Sequence, residues 1–135
     1  MASSKIVRVK VHAPDLGRKL RLAGLAGVIG AKRGLTMKAE EVKTRTLPKT
    51  PLRDGHLRNS LHAVPAYIRG GTIFTQVAAG GPAAPYAVVQ HEDETLHHKV
   101  GGAKFLSKGL SEVLPSIPDA IGREIDAELR RIAVG

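Results

Sequence analysis

Between positions 91 and 99 the chain reads His91-Glu92-Asp93-Glu94-Thr95-Leu96-His97-His98-Lys99. Three histidines and three carboxylates within eight residues could hold a metal ion or form an acid/base pair. Each chemistry has a geometric requirement. A zinc-protease helix needs His-Glu-x-x-His, with both imidazoles on one face. Here Asp93-Glu94-Thr95 follows His91-Glu92, and the second histidine of that motif is missing. His97 and His98 are adjacent, and neighbours on a strand point to opposite faces. Zinc requires three or four convergent ligands. Glu92 and Glu94 would share a face of a continued strand, but nothing in the sequence shows a cleft or a raised pKa for them. Nucleophile and phosphate-loop signatures are absent too. No serine sits in Gly-x-Ser-x-Gly, and "GGAKFLSKG" lacks the Gly-Lys-Ser/Thr spacing of a phosphate loop. The better reading of His91, Glu92, Asp93, Glu94, His97, His98 and Lys99 is the polar tip of a loop that contacts a neighbouring subunit or ring. Neither a catalytic residue nor a metal or cofactor is expected.

Such a loop needs rigid bases. Tyr86 and Phe105 bracket it and are half of the four Phe/Tyr residues in the chain; buried, they would anchor its two ends. Gly101-Gly102 permits a sharp reversal before an amphipathic run beginning at Lys104.

The elements around the loop follow from period and punctuation. "KIVRVKVH" (5–12) alternates with period two and reads as a strand. Asp15 can cap a helix over 16–33, in which Gly24, Gly27 and Gly30 each cost about 1 kcal/mol relative to Ala. Close backbone packing would compensate for these glycines; the alternative is a segment that orders only on assembly. Gly34 reads as a helix stop, and "TMKAEEVKTRT" (36–46) as a second short helix capped by Thr36. "HAVPAYIR", "TIFTQVAAG" and "PYAVVQHE" read as strands, separated by Gly70-Gly71 and "GGPAAP". Pro65 places the first of these at a sheet edge or a bulge. "KFLSKGLSEVL" puts Phe105, Leu106, Leu110 and Val113 on one helical face. The last helix repeats Ile117, Ile121, Ile125, Leu129 and Ile132 at steps of four and three, with Ser116 as its N-cap. The expected fold is a single α+β domain over 1–135: a small, mainly antiparallel β-sheet flanked by an N-terminal and a C-terminal helix.

Composition narrows the function classes. At 135 residues the chain suits one core. Aromatics at 3 % disfavour a single-strand nucleic-acid platform. Cysteine is absent, which excludes disulfides and thiolate metal sites. No signal peptide is visible, and the longest apolar run is about half of the roughly 20 residues needed to cross a bilayer. The expectation is a soluble domain made in a cytoplasm, without a membrane partner. The net charge of +9 lies wholly in residues 1–49, which hold 12 Lys/Arg against 3 Asp/Glu; residues 50–135 hold 9 of each. Such asymmetry fits a polyanion or an acidic protein partner.

One stretch carries a resemblance. "TPLRDGHLRNSL" (50–61) resembles the Thr-Pro-x-Asp-Thr-Gly-x-Leu-Arg-x-Ser element of a family of neck proteins of long-tailed phages, also called minor tail components or tail-completion proteins. The matching residues are Thr50, Pro51, Gly55, Leu57, Arg58 and Ser60. Arg53-Asp54 stands where the family has Asp-Thr, and Asp54 could supply the turn's side-chain hydrogen bond from its shifted position. About thirty residues later the family has Pro-Tyr-Ala, His/Glu, a Gly/Ala-rich segment and Lys-Phe-Leu, as in "PYAVVQHEDETLHHKVGGAKFL". The resemblance covers about residues 45–115.

It implies a structural virion protein without catalysis, a homo-oligomeric ring (a hexamer is the expected form) at the head–tail connector. Neighbours would be head-closure and tail-terminator or tail-tube proteins, with double-stranded DNA passing through the lumen without sequence specificity. It also implies a location in the virion neck after synthesis in the bacterial host. A hexamer would carry about +54 from residues 1–49, against about 18 phosphates in a channel about 30 Å tall at one per 1.7 Å. Most of that charge has to face elsewhere, so only a subset of Arg18, Lys19, Arg21, Lys32 and Arg33 is expected to line a channel. The competing readings are a small basic nucleic-acid-binding protein, which lacks a helix-turn-helix pattern, and a metal enzyme built on His91, Glu92 and His97.

Overall fold

A computed structural model describes residues 6–12, 16–51, 55–80 and 104–134. The element order is β1 (Ile6–His12), α1 (Leu16–Thr46), a 3-10 turn (Leu47–Lys49), α2 (His56–Asn59), β2 (His62–Arg69) and β3 (Thr72–Gly80). After these come α3 (Phe105–Val113), a second 3-10 turn (Leu114–Ser116) and α4 (Ile117–Val134). The sheet has the strand order β1-β3-β2, and both of its pairings are antiparallel. This is the α+β class expected from the sequence, a sheet with long N- and C-terminal helices. The fourth predicted strand, 85–92, lies outside the described residues.

The largest departure is at α1. Where two short helices were expected, one helix runs from Leu16 to Thr46, kinked at Gly24, whose φ of 66° and ψ of −148° are non-helical. Gly34 does not end the helix. A Cβ on Gly34 would stand 2.9 Å from the Ile121 Cα, and one on Gly30 would stand 2.5 Å from the Glu124 carbonyl oxygen. These two glycines, one turn apart, let the α1 and α4 backbones touch. Gly30 therefore serves close packing, the first of the two explanations offered for the helix glycines, whereas Gly24 forms the kink and a Cβ there would meet nothing within 4 Å. Because they face α4, the apolar face of α1 is carried by Ala31, Leu35, Ala39 and Val42, all buried. These cover the sheet's inner positions, where Ile73, Thr75, Val77 and Ala79 are buried.

Thr36 does not cap a helix either. Its hydroxyl donates to the Lys32 carbonyl at 2.7 Å and accepts from the Ala66 amide at 2.9 Å. The reason lies in β2. The ladder between β2 and β3 shifts register between Val64 and Tyr67, a bulge at Pro65-Ala66 on an edge strand, as the proline predicted. A bulge leaves backbone groups off the ladder, and buried ones need partners. Thr36 takes the Ala66 N–H, and the Thr75 hydroxyl donates to the Val64 carbonyl at 2.6 Å. Thr36→Val should then cost about 1–3 kcal/mol, because it strands the Ala66 donor. In native-state hydrogen exchange the Ala66 amide should lose protection selectively; unchanged protection at Ala66 would refute this account.

The helices after the sheet follow the sequence more closely. Phe105, Leu106 and Val113 are buried on α3, Leu110 half-buried. On α4, Ile117 and Ile121 are buried and Ile125 is half-buried, but Leu129 is 41 % exposed. The Ser116 hydroxyl donates back to the Val113 carbonyl at 2.8 Å and accepts from the Lys38 ammonium at 2.9 Å, so it ties α4 to α1. Gly109 of α3 rests directly on Thr46 of α1 and leaves no room for a Cβ.

Candidate functional site

The stretch that carries the family resemblance is a densely bonded turn. Thr50 is fully buried; its N–H reaches the Thr46 carbonyl at 3.0 Å and its hydroxyl reaches the same oxygen at 2.9 Å. Pro51 is buried beside it. The Thr50 carbonyl in turn accepts from the Arg58 Nε at 3.1 Å. Gly55, at φ 86°, opens α2 from the left-handed region, where a side chain would be strained. Leu57 is buried on the core. The Ser60 hydroxyl donates to the Leu57 carbonyl at 2.6 Å and accepts from the Gly80 N–H at 2.9 Å. The matched stretch is thus joined to the C-terminal end of α1 through Thr50 and to the last residue of β3 through Ser60. Asp54 lies outside the described residues.

Gly80 matters because the chain leaves β3 there and returns at α3. The contact-loop residues His91, Glu92, Asp93, Glu94, His97, His98 and Lys99 fall between those points, outside the described residues. So do Tyr86, Gly101 and Gly102. The two ends are described. Ser60 holds the Gly80 amide, and Phe105 has no exposed surface at all. The burial expected of Phe105 is thus found. Lys104, just before it, adopts φ 56°, a left-handed residue that turns the chain into α3.

Of the proposed channel residues, Arg18, Lys19 and Arg21 precede the Gly24 kink, and the structure describes their backbone only. Lys32 is half-buried. Arg33 is engaged within the fold. Its Nη2 lies 2.5 Å from the Glu128 carboxylate and its Nη1 3.5 Å from Glu124, the second an ionic contact rather than a hydrogen bond. The hydrogen bond to Glu128 raises the Arg33 pKa further, against a smaller opposing effect of desolvation. Glu128, nearly buried, is also paired with Arg131. Lys38 pairs with Glu41 at 2.8 Å, and Lys49 with Glu112 at 2.8 Å. Part of the N-terminal charge excess is thus met by acids from the second half of the chain, a pairing that no segment-by-segment count reveals.

The Lys49 pair has a pH consequence. Its hydrogen bond, more than its charge, holds the Glu112 pKa below the ordinary 4.5, against a smaller desolvation effect. A carboxyl depressed on folding stabilises fully above its unfolded pKa and loses that contribution as pH falls through the folded value. The stability gap between the wild type and Glu112→Gln should therefore be present at pH 7 and close below pH 4.5, as measured by urea unfolding across pH. A gap that persists at acid pH would show that the pair is not its source.

Two other features of the surface stand out. Among the described residues no group of three His, Asp or Glu is placed to hold a metal ion. A small apolar void between Leu35, Val42, Val77, Leu110 and Ile117 measures about 10 Å³, room for one water and no substrate. The sheet face turned away from the helices is different. Register places Arg8 and His62 opposite Ala78, Lys10 opposite Gln76, His12 and Tyr67 opposite Phe74, and Arg69 opposite Thr72. Residues paired across a ladder share a face, and this is the face opposite the buried Ile73, Thr75, Val77 and Ala79; on it Ala78 and the Gln76 Oε1 are buried as well. Sequence reading found the period-two alternation of β1. It could not find that Arg69, sixty residues on, belongs to the same surface, because the bulge at Pro65-Ala66 resets the alternation of β2. Compared with family models, with curated proteins and with solved structures, the chain matches none of them.

Proposed function

We propose that this protein is a structural component of a phage neck, a homo-oligomeric ring at the head–tail interface that surrounds the DNA channel and joins a head-closure ring to the tail. The observation that carries the reading is the wiring of the 50–60 turn to Gly80. The residues that match the family element are the ones that fix the point where the chain sets out toward His91–Lys99, and Phe105 fixes the point of return. A segment held at both ends on a rigid scaffold suits a loop that sets register between subunits through hydrogen bonds and ion pairs. Leu25, 74 % exposed, and Ile29, 39 % exposed, lie one turn apart on α1 just past its kink, and add an apolar strip of the kind that subunit contacts cover. No helix among the described residues is long and apolar enough to cross a membrane.

The test is electron microscopy of the purified chain, alone and mixed with neighbouring head-closure and tail proteins. Rings are expected in at least one of these preparations, and their loss is expected when Glu92, Asp93 and Glu94 are changed together to glutamine. Failure to form rings under either condition would remove the proposal.

A further inference from the structure

The two long helices each carry an uncovered stripe, one on either side of their mutual contact. On α1, Leu25, Ile29, Lys32 and Thr36 recur at steps of four, three and four and so share one face. The Thr36 hydroxyl accepts from the Ala66 amide, which sets this face on the β2 side of the helix. Gly30 and Gly34, against α4, lie on a different face. β2 starts from the 50–60 turn at the C-terminal end of α1, so it runs back along the helix, and Ile68 lies past Ala66 in the direction of Ile29. Ile68 is paired with the buried Ile73 and belongs to the helix-covered face of the sheet, yet it is 49 % exposed. Leu25, Ile29 and Ile68 thus form an apolar surface along one flank of the domain.

The other flank is α4. Pro118, Gly122, Ile125 and Leu129 recur there at the same steps, beside the positions that touch α1. Pro118, Gly122 and Leu129 are exposed and Ile125 is half-buried, so the stripe is uncharged. A Cβ on Gly122 would meet nothing within 4 Å, which leaves a notch between Pro118 and Leu129. The borders of the two stripes differ in sign. Lys32 lies within the α1 stripe, and Arg69 follows Ile68. Asp119 and Asp126, three residues before Gly122 and four after it, border the α4 stripe. Arg123 and Arg130 lie further round the helix, beyond the two acids. Among the described residues none of Lys32, Arg69, Asp119 and Asp126 has an ion-pair partner, whereas Arg33, Lys38 and Lys49 are all paired within the fold.

We infer that the Leu25–Ile29–Ile68 surface docks onto the α4 stripe of a second copy of this chain, with Leu25 seated at the Gly122 notch and Lys32 and Arg69 facing Asp119 and Asp126. The surfaces suit each other in both respects: apolar meets apolar, and unpaired cations meet unpaired acids. One molecule cannot join its own two stripes, because the α1–α4 contact lies between them. Self-pairing of either stripe would set like charges against each other. The contact is therefore heterologous: each copy offers one stripe to the next copy and the other to the previous one, which builds a ring where the rotation closes and a filament where it does not. The inference deepens the ring proposal and rests on it for the choice of a second copy as occupant.

The chain has no cysteine, so introduced thiols report the contact without background. The test treats the intact chain carrying Leu25→Cys and Gly122→Cys with a short bismaleimide, alone at high concentration and mixed with neighbouring head-closure and tail proteins. Each variant's fold is checked by circular dichroism. A ladder of covalent oligomers is expected on denaturing gels in at least one preparation. A mixture of Leu25→Cys chains with Gly122→Cys chains should stop at the heterodimer, and each single variant alone should stay monomeric. Adding Ile29→Asp to the double variant should lower the linked fraction by about tenfold, the effect of one apolar side chain lost from a contact. Adding Leu114→Asp, at an exposed apolar residue outside both stripes, should leave the ladder unchanged. No ladder in either preparation would overturn the inference. So would dimers from either single variant, which mean a self-paired stripe, or an equal loss with Leu114→Asp, which means unspecific association. The two proposals fail separately. Rings without Leu25–Gly122 linkage remove this contact and leave the neck; linked oligomers that electron microscopy shows only as open filaments remove the ring and leave the contact.

Discussion

Gly30→Val should lower the stability of the domain by about 3 kcal/mol, and Gly30→Ala by a smaller amount in the same direction. The sign is not obvious. In an exposed helix interior, alanine gains about 1 kcal/mol over glycine by propensity. At Gly30, however, a new Cβ would lie 2.5 Å from the Glu124 carbonyl oxygen and 2.6 Å from the Ile125 Cα. Both are backbone atoms of α4, and backbone cannot swing aside as the end of a flexible side chain can. The helices would have to separate, and the ion pairs of Arg33 with Glu124 and Glu128 on the same interface would loosen with them. Overpacking costs typically about 1–3 kcal/mol and exceeds the propensity gain. Gly122 supplies the internal control. It is exposed on α4, and a Cβ there would meet nothing within 4 Å. Gly122→Ala should therefore stabilise by up to about 1 kcal/mol. Urea midpoints of the two alanine variants should move in opposite directions. If both move upward, α1 and α4 do not meet at Gly30.

That contrast also explains how far the sequence could be read. Elements governed by local rules were legible. The period-two alternation of 5–12, the Gly70-Gly71 hairpin and the four-residue steps of α4 need only neighbours within a turn or a strand. Gly34 and Thr36 misled because each has two physical uses. Glycine can end a helix or admit another backbone, and threonine can cap a helix or bond back into it; a distant partner decides between them. Ile121 decides for Gly34 and the bulge at Ala66 decides for Thr36. The same holds for the surface. Arg33 looks like a free cation until α4 brings Glu124 and Glu128 to it, and Arg69 looks unremarkable until register sets it on the face of Arg8. Of the candidate site, the 50–60 turn was legible as a motif, but its bond from Ser60 to Gly80 was not, since it spans twenty residues.

Phe105→Ala should be the most damaging single truncation in the core, at about 3–5 kcal/mol. Phe105 is the largest fully buried side chain among the described residues, in a chain with only two phenylalanines and no tryptophan. The rest of the core is aliphatic and already carries small residues at Ala31, Ala39 and Ala79, so little nearby volume can collapse into the void. The cost of such a cavity depends on that relaxation. Position adds to it. Phe105 opens α3 directly after Lys104, whose left-handed backbone is kept by the packing around it. With the ring removed, the first turn of α3 loses its hold on the core and the Lys104 turn loses what enforces it. Native-state hydrogen exchange should show this as a gradient: amides early in α3 lose protection first, while those of α1 between Ala31 and Val42 follow global stability. Phe105→Leu keeps most of the burial and should cost clearly less, which leaves a folded chain in which assembly can be measured. In that variant the return point of the 81–103 segment is loosened while the 50–60 turn and its bond to Gly80 stay intact. If the segment sets register between subunits, ring formation with neighbouring proteins should weaken in Phe105→Leu beyond what its melting temperature predicts. Ring yield that simply tracks stability would show that the anchor serves the core alone.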